Sequence, residues 1–268
     1  MQRPKVSMIV PSYNQVQYLG ACLDSIWFQE YPDIEIVVVY EDSSDGTHEF
    51  LQDYVRAVLS ETASYASRYD ENTDAVERTV HPRWPQEGRE LVLLRNEDRR
   101  GSTWAYNRGF AAATGEYVTY VASDDLCHPR MIAELAAPLA ADLADFVYSD
   151  MFVIDDAGRI LRRFSLPDYD FAASFGEWYL CGVSKLYRRS LLERFGPMAD
   201  GFLANDHEQY QRFALGGARF LHLPTVLYSV RSHEGRAVDV HSADNREKLL
   251  AESKALVLKA RRAMIRRA

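Results

Sequence analysis

The stretch that decides the fold is Gly-Glu-Tyr-Val-Thr-Tyr-Val-Ala-Ser-Asp-Asp, residues 115–125. Its centre is rich in β-branched and aromatic residues, a composition that is typical of a buried strand. The strand ends on two adjacent carboxylates, Asp124 and Asp125. Because ligands of open α/β sheets gather beyond the carboxyl ends of the strands, this pair predicts a site for a hard cation, which prefers oxygen ligands. The alternative is that Ser-Asp-Asp caps the next helix, since Ser and Asp are good N-caps.

The residues before this stretch alternate between apolar strands and amphipathic helices. The run at 34–39 is almost continuously apolar, which is typical of a strand in a parallel sheet covered on both faces. Alternating strands and helices indicate βαβ units, and therefore an α/β fold with a mostly parallel central sheet flanked by helices. The predicted strands are 6–10, 34–39 and 91–94, and the predicted helices lie in 18–28, 47–59 and 101–113.

Residues 60–90 interrupt this alternation with a polar, charged segment that ends in prolines and a glycine. This composition predicts an insertion consisting of one further helical turn and then a mobile loop. Its aromatic residues Tyr65, Tyr69 and Trp84 either line an acceptor groove or pack locally, and local packing is the preferred interpretation.

The residues after the central stretch continue the α/β pattern and end in a basic amphipathic helix within 241–268. After Glu252 this helix carries lysines and arginines but no acid. Such a helix either makes peripheral contact with anionic lipid headgroups or packs on its own domain, and we expect the packing. In order, the sequence predicts a helix at 129–141, strands at 146–154 and 160–164, a strand and a helix in 182–195, a helix at 206–215, two strands in 218–230 and a last helix from Asn245.

Composition excludes several classes of protein. A net charge of −8 argues against a general nucleic-acid binder. Cys22, Cys127 and Cys181 are odd in number and far apart, which fits neither a zinc site nor a disulfide framework and indicates reduced thiols. The first residues leave no room for a signal peptide, and no apolar run is long enough to span a bilayer. We therefore expect a cytoplasmic protein, with the inner face of the membrane as a peripheral site.

A series of motifs in fixed order resembles glycosyltransferase family 2, whose members have the GT-A fold, a Rossmann-like central sheet with a small antiparallel region on the acceptor side. The N-terminal third is most similar to the spore-coat polysaccharide transferases. The resemblance implies a domain at 1–240, with a nucleotide-binding half at about 1–125 and an acceptor half at about 126–240. The motifs are Val-Ser-Met-Ile-Val-Pro-Ser-Tyr-Asn at 6–14, Asp-Gly-Thr at 45–47, Gly101 to Gly109 with Asn107, the central stretch, Tyr-Arg-Arg-Ser at 187–190, Asn205-Asp206 and Leu-Tyr-Ser-Val-Arg-Ser-His-Glu-Gly at 227–235.

The resemblance implies an inverting transfer of a sugar from a nucleotide diphosphate donor to a hydroxyl acceptor. Tyr13 is expected to stack on the nucleobase, because aromatic faces suit that contact. Glu41 replaces the aspartate that accepts a hydrogen bond from the base, and Asp42 is the alternative acceptor. A carboxylate facing an imide suits uracil or thymine, and guanine also presents donors; uracil, and hence a UDP-sugar, is the preferred expectation. The expected donor-binding residues are Pro11, Tyr13, Glu41, Asp42, Arg99, Asn107, Ser123, Asp124 and Arg231.

The resemblance also implies a metal ion, Mn²⁺ or Mg²⁺, on Asp124 and Asp125. Such an ion bridges to the diphosphate and stabilises the charge on the departing nucleotide. The first acid of the family's motif is missing, because Ala122 stands in its place. His233 is expected to complete the coordination and Arg231 to contact phosphate, while an ordinary surface histidine is the alternative for His233.

Asp206 matches the catalytic base of the family, which takes the proton from the acceptor hydroxyl. Its usual neighbour is a glutamate, but this chain has Asn205, which cannot be a base and is expected to bind the acceptor or cap a helix. The acceptor is expected to be a glycan, a lipid-linked glycan or a protein hydroxyl.

Two other functions stay open at this point. The departures at Glu41, Ala122 and Asn205 are compatible with a catalytically silent paralogue that binds nucleotide sugars as a partner subunit. A nucleotidyltransferase is the weaker alternative, since Pro-Ser-Tyr-Asn-Gln at 11–15 lacks the glycine and lysine of a phosphate loop.

Overall fold

The computed structural model describes residues 3–171, 183–233 and 243–265. Its first half contains the expected alternation of strands and helices. The strands there are β1 (Val6–Ser12), β2 (Ile34–Tyr40), β3 (Thr62–Asp70), β4 (Ala75–Pro82), β5 (Arg89–Arg95) and β6 (Tyr117–Tyr120), and the helices are α1 (Val16–Trp27), α2 (Thr47–Ser60) and α3 (Ser102–Ala112).

The second half contains shorter strands and the remaining helices. The two strands expected in 218–230 form one strand, so that prediction is wrong. Its pairing with β8 is irregular between Leu223 and Val226, around Pro224, and again between Val226 and Tyr228. The elements are β7 (Leu126–Cys127), α4 (Met131–Ala140), β8 (Phe146–Ile154), β9 (Ile160–Phe164), β10 (Lys185–Arg188), α5 (Ser190–Phe195), α6 (Asn205–Leu215), β11 (Phe220–Arg231) and α7 (Ala243–Ile265).

The described strands form one nine-stranded sheet and one separate hairpin. The order in the large sheet is β5-β2-β1-β6-β10-β8-β11-β7, with β9 beside β8. Parallel pairing joins β5, β2, β1 and β6, and it also joins β8 and β11. β10 is antiparallel to both β6 and β8, and β7 and β9 pair antiparallel with β11 and β8. Between the strands that the structure describes, the sheet is therefore mixed, with four parallel and four antiparallel pairings, of which the parallel ones are together the longer.

Helices cover both faces of this sheet. On one face α1, α2 and α4 bury their apolar residues against the strands, among them Leu23, Leu51 and Leu135. On the other face α3, α5 and α6 do the same, among them Phe110 and Phe213. Burial on both faces explains why β1 and β2 consist of nearly continuous apolar residues rather than alternating ones.

Gly109 explains how closely α3 approaches the sheet. A Cβ atom built on Gly109 would lie 2.3 Å from Cγ2 of Ile9 in β1. Only glycine allows this separation, so the glycine of the 101–109 motif sets the distance between α3 and β1.

The insertion at 60–90 is a β-hairpin, and the prediction of a helical turn followed by a mobile loop is wrong. Antiparallel pairing of β3 with β4 begins at Thr62 opposite Pro82 and reaches Asp70 opposite Ala75. Its polar composition suggested a loop because nearly all of its side chains face water, although Tyr, Thr and Val at its centre favour strands. Trp84 packs locally, as preferred: it is buried against Tyr54.

The alternative that Ser-Asp-Asp caps the next helix is wrong. β7 separates the pair from α4, whose N-cap residue is Arg130. Among the cysteines, Cys22 and Cys127 are buried free thiols, and Cys181 lies outside the described residues.

The last helix packs on its own domain, as expected. Leu249, Leu256 and Ala260 of α7 are buried, and Ala260 clusters with Ala214 of α6. Lys259 Nζ lies 3.9 Å from Glu208 Oε1 of α6. Within residues 3–171, 183–233 and 243–265, no helix is both long enough and apolar enough to cross a bilayer.

Candidate functional site

Four parallel strands end side by side and create the edge where the sequence placed its donor-binding residues. Ser12 of β1 is in register with Tyr40 of β2, which is in register with Arg95 of β5. β6 pairs with β1 from the other side, so the Ser-Asp-Asp tip follows at the same edge. Pro11 lies within this register opposite Val39 and is half-buried.

Tyr13 and Arg99 meet at this edge. The Arg99 guanidinium lies 4.3 Å from the centroid of the Tyr13 ring, although the two residues are far apart in sequence. Tyr13 is half-buried and Arg99 is exposed. A cation over an aromatic face is a favourable contact, and it leaves a planar, positively charged surface open to solvent.

Glu41 and Asp42 follow β2 but differ in what they contact. Glu41 is buried, and its Oε1 accepts hydrogen bonds from the backbone N–H groups of Arg100 and Gly101 at 2.7 and 2.9 Å. Glu41 therefore fixes the loop that leads into α3. Asp42 is exposed and pairs with Arg95, 3.3 Å away.

Asp124 and His233 form a close pair at the tip. His233 Nε2 lies 2.8 Å from Asp124 Oδ2, and both side chains are buried. The neighbouring Ser123 is also buried, with its Oγ 3.5 Å from Gln15 Oε1. The Tyr18 ring packs against the His233 ring at a centroid distance of 4.8 Å. His233, two residues after the end of β11, thus contacts the carboxylate of Asp124, which follows β6.

Asp125 points away from its neighbour and bonds to β11. Its Oδ2 accepts from the Tyr228 hydroxyl at 3.0 Å and its Oδ1 accepts from the Arg231 N–H at 2.8 Å. Burial, followed by the Asp125 charge, raises the pKa of Tyr228 well above its usual value, so this phenol stays protonated as a donor. Both carboxylate oxygens of Asp125 are used in holding the tip against β11.

Arg231 also holds the Asp124–Asp125 tip against β11. Its Nε donates to the carbonyl of Asp124 at 2.9 Å, and its Nη1 donates to the carbonyls of Asp155 and Asp156 at 2.9 and 2.8 Å. The side chain is buried, and its guanidinium lies 4.9 Å from the Tyr18 ring centroid. In this structure Arg231 fixes the backbone of two loops.

Asp206 lies in the first turn of α6, beside the end of β6. Its Oδ2 accepts a long hydrogen bond, 3.4 Å, from the Tyr120 hydroxyl, and its Oδ1 accepts from the His207 N–H at 2.8 Å. Burial, followed by the Asp206 charge, raises the pKa of Tyr120 well above its usual value. Since Tyr120 is four residues before Asp124, the structure brings the expected base to the strand that carries the acidic pair.

The buried Lys185 lies against the ring of Tyr120. Lys185 of β10 is fully buried, with its Nζ 3.5 Å from the Tyr120 ring centroid and 5.4 Å from the Tyr210 ring centroid. The Tyr210 hydroxyl lies 3.3 Å from the Tyr120 hydroxyl. Asp206 therefore contacts a buried cluster of two phenols and a lysine through the Tyr120 hydroxyl.

Two amides connect α3 to the segment that carries Asp206. Asn205 is not the N-cap of α6; its Nδ2 donates to Thr103 Oγ1 of α3 at 2.8 Å. Asn107 of α3 exchanges two 2.9 Å hydrogen bonds with the backbone of Met198, one as donor and one as acceptor. In this structure Asn107 holds the backbone at Met198 against α3.

Several residues of the site were not predicted from the sequence. Tyr120 carried a signal, because it lies within the central stretch, but its position was interpreted only as strand composition. Tyr210 was expected simply to face the core. Lys185 and Tyr18 have no local signal, since each acquires its role only when distant elements pack.

The donor set at the tip fits a small cation in part. Asp124 and His233 offer one oxygen and one nitrogen ligand, which suits an ion that takes its remaining ligands from a diphosphate and water. Asp125 fits less well, because both of its oxygens already accept hydrogen bonds. In the part of the chain that the structure describes, no group of three or more His, Cys, Asp or Glu side chains is arranged to hold a metal ion.

Comparison with known proteins identifies the relatives of this chain. The model of a family described as "Glycosyl transferase family 2" matches residues 7–68 and 69–196, more than half of the chain. The chain is also similar to the glycosyltransferase GlyA of Streptococcus pneumoniae serotype 4, with 26% identity over 247 residues that cover 86% of this chain and 31% of GlyA. It thus spans about a third of GlyA's length.

Solved structures share the fold. S. aureus TarS 1-349 in complex with UDP-GlcNAc matches with a TM-score of 0.67 and 21% identity, covering 95% of this chain and 66% of that chain. The mannosyltransferase PcManGT from Pyrobaculum calidifontis, in complex with GDP-Man and Mn2+, matches with a TM-score of 0.64 and 21% identity, covering 96% and 65%. The expected α/β architecture is confirmed by these matches.

Proposed function

Because this chain belongs to glycosyl transferase family 2, we propose that it moves a sugar, with inversion, from a nucleotide diphosphate donor to a hydroxyl acceptor. The observation that carries the proposal is the contact between Asp206 and Tyr120. It brings a carboxylate from the acceptor half to the strand that ends on Asp124. A base and a donor-binding edge are thereby next to each other, as an inverting transfer requires.

The donor is proposed to lie along the ends of β1, β2, β5 and β6. Tyr13, with Arg99 over its ring, offers a flat face for the nucleobase and a positive charge for its phosphates. Asp42, exposed and next to Arg95, is the proposed hydrogen-bond acceptor for the base, because Glu41 is buried and committed to the α3 loop. We propose a UDP-sugar, and the UDP-GlcNAc complex of the similar TarS chain supports it.

Asp124 and His233 are the proposed ligands of a divalent metal, Mn²⁺ or Mg²⁺. When bound, such an ion neutralises the charge that develops on the diphosphate leaving group. The Mn2+ complex of PcManGT supports metal use in this fold. Arg231 supports the site by fixing the carbonyl of Asp124, and its proposed contact with phosphate requires it to leave the loop carbonyls that it now binds.

Asp206 is the proposed general base. Its carboxylate takes the proton of the acceptor hydroxyl while that oxygen forms a bond to the anomeric carbon. The bond between the anomeric carbon and the diphosphate oxygen breaks on the opposite face, and the nucleotide leaves with the electron pair. Tyr120, kept protonated by burial, donates to Oδ2 of Asp206 and orients the carboxylate.

The acceptor is proposed to be a hydroxyl of a growing glycan, a lipid-linked glycan or a protein, in polysaccharide or glycan biosynthesis. A cytoplasmic location is proposed with it. The exposed basic residues Lys254, Arg261 and Arg262 of α7, together with the exposed Leu258, support a peripheral contact with an anionic membrane.

A catalytically silent paralogue is the second candidate, favoured by the departures at Glu41, Ala122 and Asn205. The two candidates separate when nucleotide release is measured from UDP-, GDP- and TDP-sugars with manganese, with magnesium or with a chelator, alongside calorimetric binding of the same nucleotides. We expect release from a UDP-sugar that falls when the chelator is present. Nucleotide binding without release from any donor, across an acceptor panel, would support the silent paralogue instead.

A further inference from the structure

The last helix, α7, lies beyond the residues that the family model matches, yet it reaches the segment that carries Asp206. Ala260 and the half-buried Val257 pack α7 against α6, in the cluster that contains Ala214. One polar residue of α7, the half-buried Glu252, is directed toward the beginning of α6.

Glu252 accepts three hydrogen bonds from the backbone that leads into α6. The N–H of Leu203 lies 3.0 Å from Oε1 and 2.9 Å from Oε2, and the N–H of Ala204 lies 3.1 Å from Oε2. Ala204 is the N-cap residue of α6, and its methyl side chain cannot accept a hydrogen bond. The N–H of an N-cap residue is the group that the N3 side chain serves in a capping box, and here a carboxylate from another helix accepts from it.

The charge of Glu252 makes this contact strong. Hydrogen bonds to an ionised acceptor are stronger than neutral ones, and a negative charge near a helix N-terminus is stabilised by the helix dipole. The contact is also close to the proposed base, because Asp206 follows Ala204 by two residues.

The same segment is held from the opposite side by α3. Asn205 donates to Thr103 at 2.8 Å, so the residue just before Asp206 is tied to the donor half. The position of Asp206 relative to the donor edge is therefore fixed by two contacts, one from α3 and one from α7.

We propose that α7 is part of the catalytic unit and that Glu252 is a positioning residue for Asp206. This inference rests on the proposed function, in which Asp206 is the base. Glu252 itself touches no reacting atom; it fixes the backbone from which the base projects. Removing its carboxylate lets the beginning of α6 shift, and a displacement of about 1 Å in a catalytic group costs on the order of 10²-fold in rate.

The test compares Glu252→Ala and Glu252→Gln with Glu247→Ala, a matched control at an exposed position of the same helix. For Glu252→Ala we expect kcat to fall by about 10- to 100-fold while KM for the donor stays within about twofold. Glu252→Gln keeps one acceptor oxygen and should lie between Glu252→Ala and the control. In Glu252→Ala, amide hydrogen exchange of peptides containing Leu203 and Ala204 should become faster than in the control.

Amide hydrogen exchange tests the contact between Glu252 and the N–H groups of Leu203 and Ala204 independently of enzymatic turnover. Unchanged exchange at Leu203 and Ala204 in Glu252→Ala overturns the proposal, as does a kcat equal to that of Glu247→Ala. A drop in kcat matched by an equal rise in donor KM also overturns it, because that result indicates general loss of donor binding. If the wild-type chain releases no nucleotide from any donor, the proposed function fails, and the exchange data alone then decide whether Glu252 orders this segment.

Discussion

The exposed side-chain pairs at the ends of β1, β2 and β5, on the proposed donor edge, differ from the corner around Asp206 in how their polar groups are held. At the donor edge the contacts of Tyr13 with Arg99 and of Asp42 with Arg95 are partly exposed side-chain pairs. At the corner, Asp206 contacts the buried Tyr120, and the segment before it is hydrogen-bonded to α3 and α7.

This difference has a chemical reason. A nucleotide brings its own charge and flat surface, so its binding edge can consist of exposed groups that the ligand covers. A general base has to be oriented before the reaction, because reorganising it during the reaction would add to the barrier. The comparison teaches that mutations in the exposed pairs should alter nucleotide affinity, whereas mutations at the corner, and of the proposed metal ligand Asp124, should alter turnover.

The largest effect is expected from Asp206→Asn, which keeps the shape of the side chain and removes the proton acceptor. Sugar transfer should fall by about 10²–10⁴-fold, the usual contribution of a general base. Calorimetric affinity for the nucleotide should be nearly unchanged. Sugar transfer at the wild-type rate would contradict the comparison, because Asp206 would then not be the general base.

Asp124→Ala tests the metal ligand, and Asp125→Ala is its matched partner. Asp124→Ala should lower manganese-dependent turnover by about 10²-fold, because the metal contributes several kcal/mol to stabilising the leaving group. Asp125→Ala should lower the free energy of unfolding by about 1–3 kcal/mol, since it leaves the buried partners on Tyr228 and Arg231 unsatisfied.

Thermal or urea unfolding of both variants, together with nucleotide titrations at several manganese concentrations, separates the two roles. Equal losses of stability and of metal dependence in the two variants would mean that the adjacent carboxylates are not specialised.

At the donor edge, Tyr13→Ala should weaken nucleotide binding by about 1–3 kcal/mol, the contribution of one stacked base. Turnover at saturating donor should change little. Tyr13→Phe is the control, because it keeps the ring and should bind the nucleotide like wild type. A fall in kcat without a change in affinity would place Tyr13 with the corner rather than with the donor edge.

The smallest effect is expected from Tyr120→Phe, which removes the hydroxyl that donates to Asp206 and keeps the ring beside Lys185. Because this hydrogen bond is long, 3.4 Å, we expect it to contribute only about 0.5–1.5 kcal/mol, so kcat should fall by about two- to tenfold. A kcat equal to that of the wild type would show that Tyr120 is only a packing residue.

The parallel half of the fold was predictable because its signals are local. The apolar run of β2, the glycine of α3 and the turn residues that follow each strand depend on neighbours within one element. The hairpin β3–β4 was missed, since its two strands pair with each other and bury almost nothing, which leaves composition to suggest a loop.

The sequence supplied a set of proposed site residues but not the contacts between them. The sequence placed Asp124, His233 and Asp206 in one family pattern, and the structure brings His233 onto Asp124. It could not show that Asp125 turns toward β11 or that Glu252 reaches Ala204, because those contacts join residues about 100 and about 50 positions apart. Such contacts arise from tertiary packing, which a single sequence does not encode in any short window.

The hairpin β3–β4 also has a practical consequence. Its two ends are joined at the base, where the Arg83 N–H donates to the Glu61 carbonyl at 2.9 Å and the two side chains form an ion pair at 2.8 Å. Residues 62–82 therefore leave and rejoin the domain at one point. A fluorophore or an affinity tag attached at the tip of the hairpin, near Asn72, should label the protein without disturbing the nine-stranded sheet.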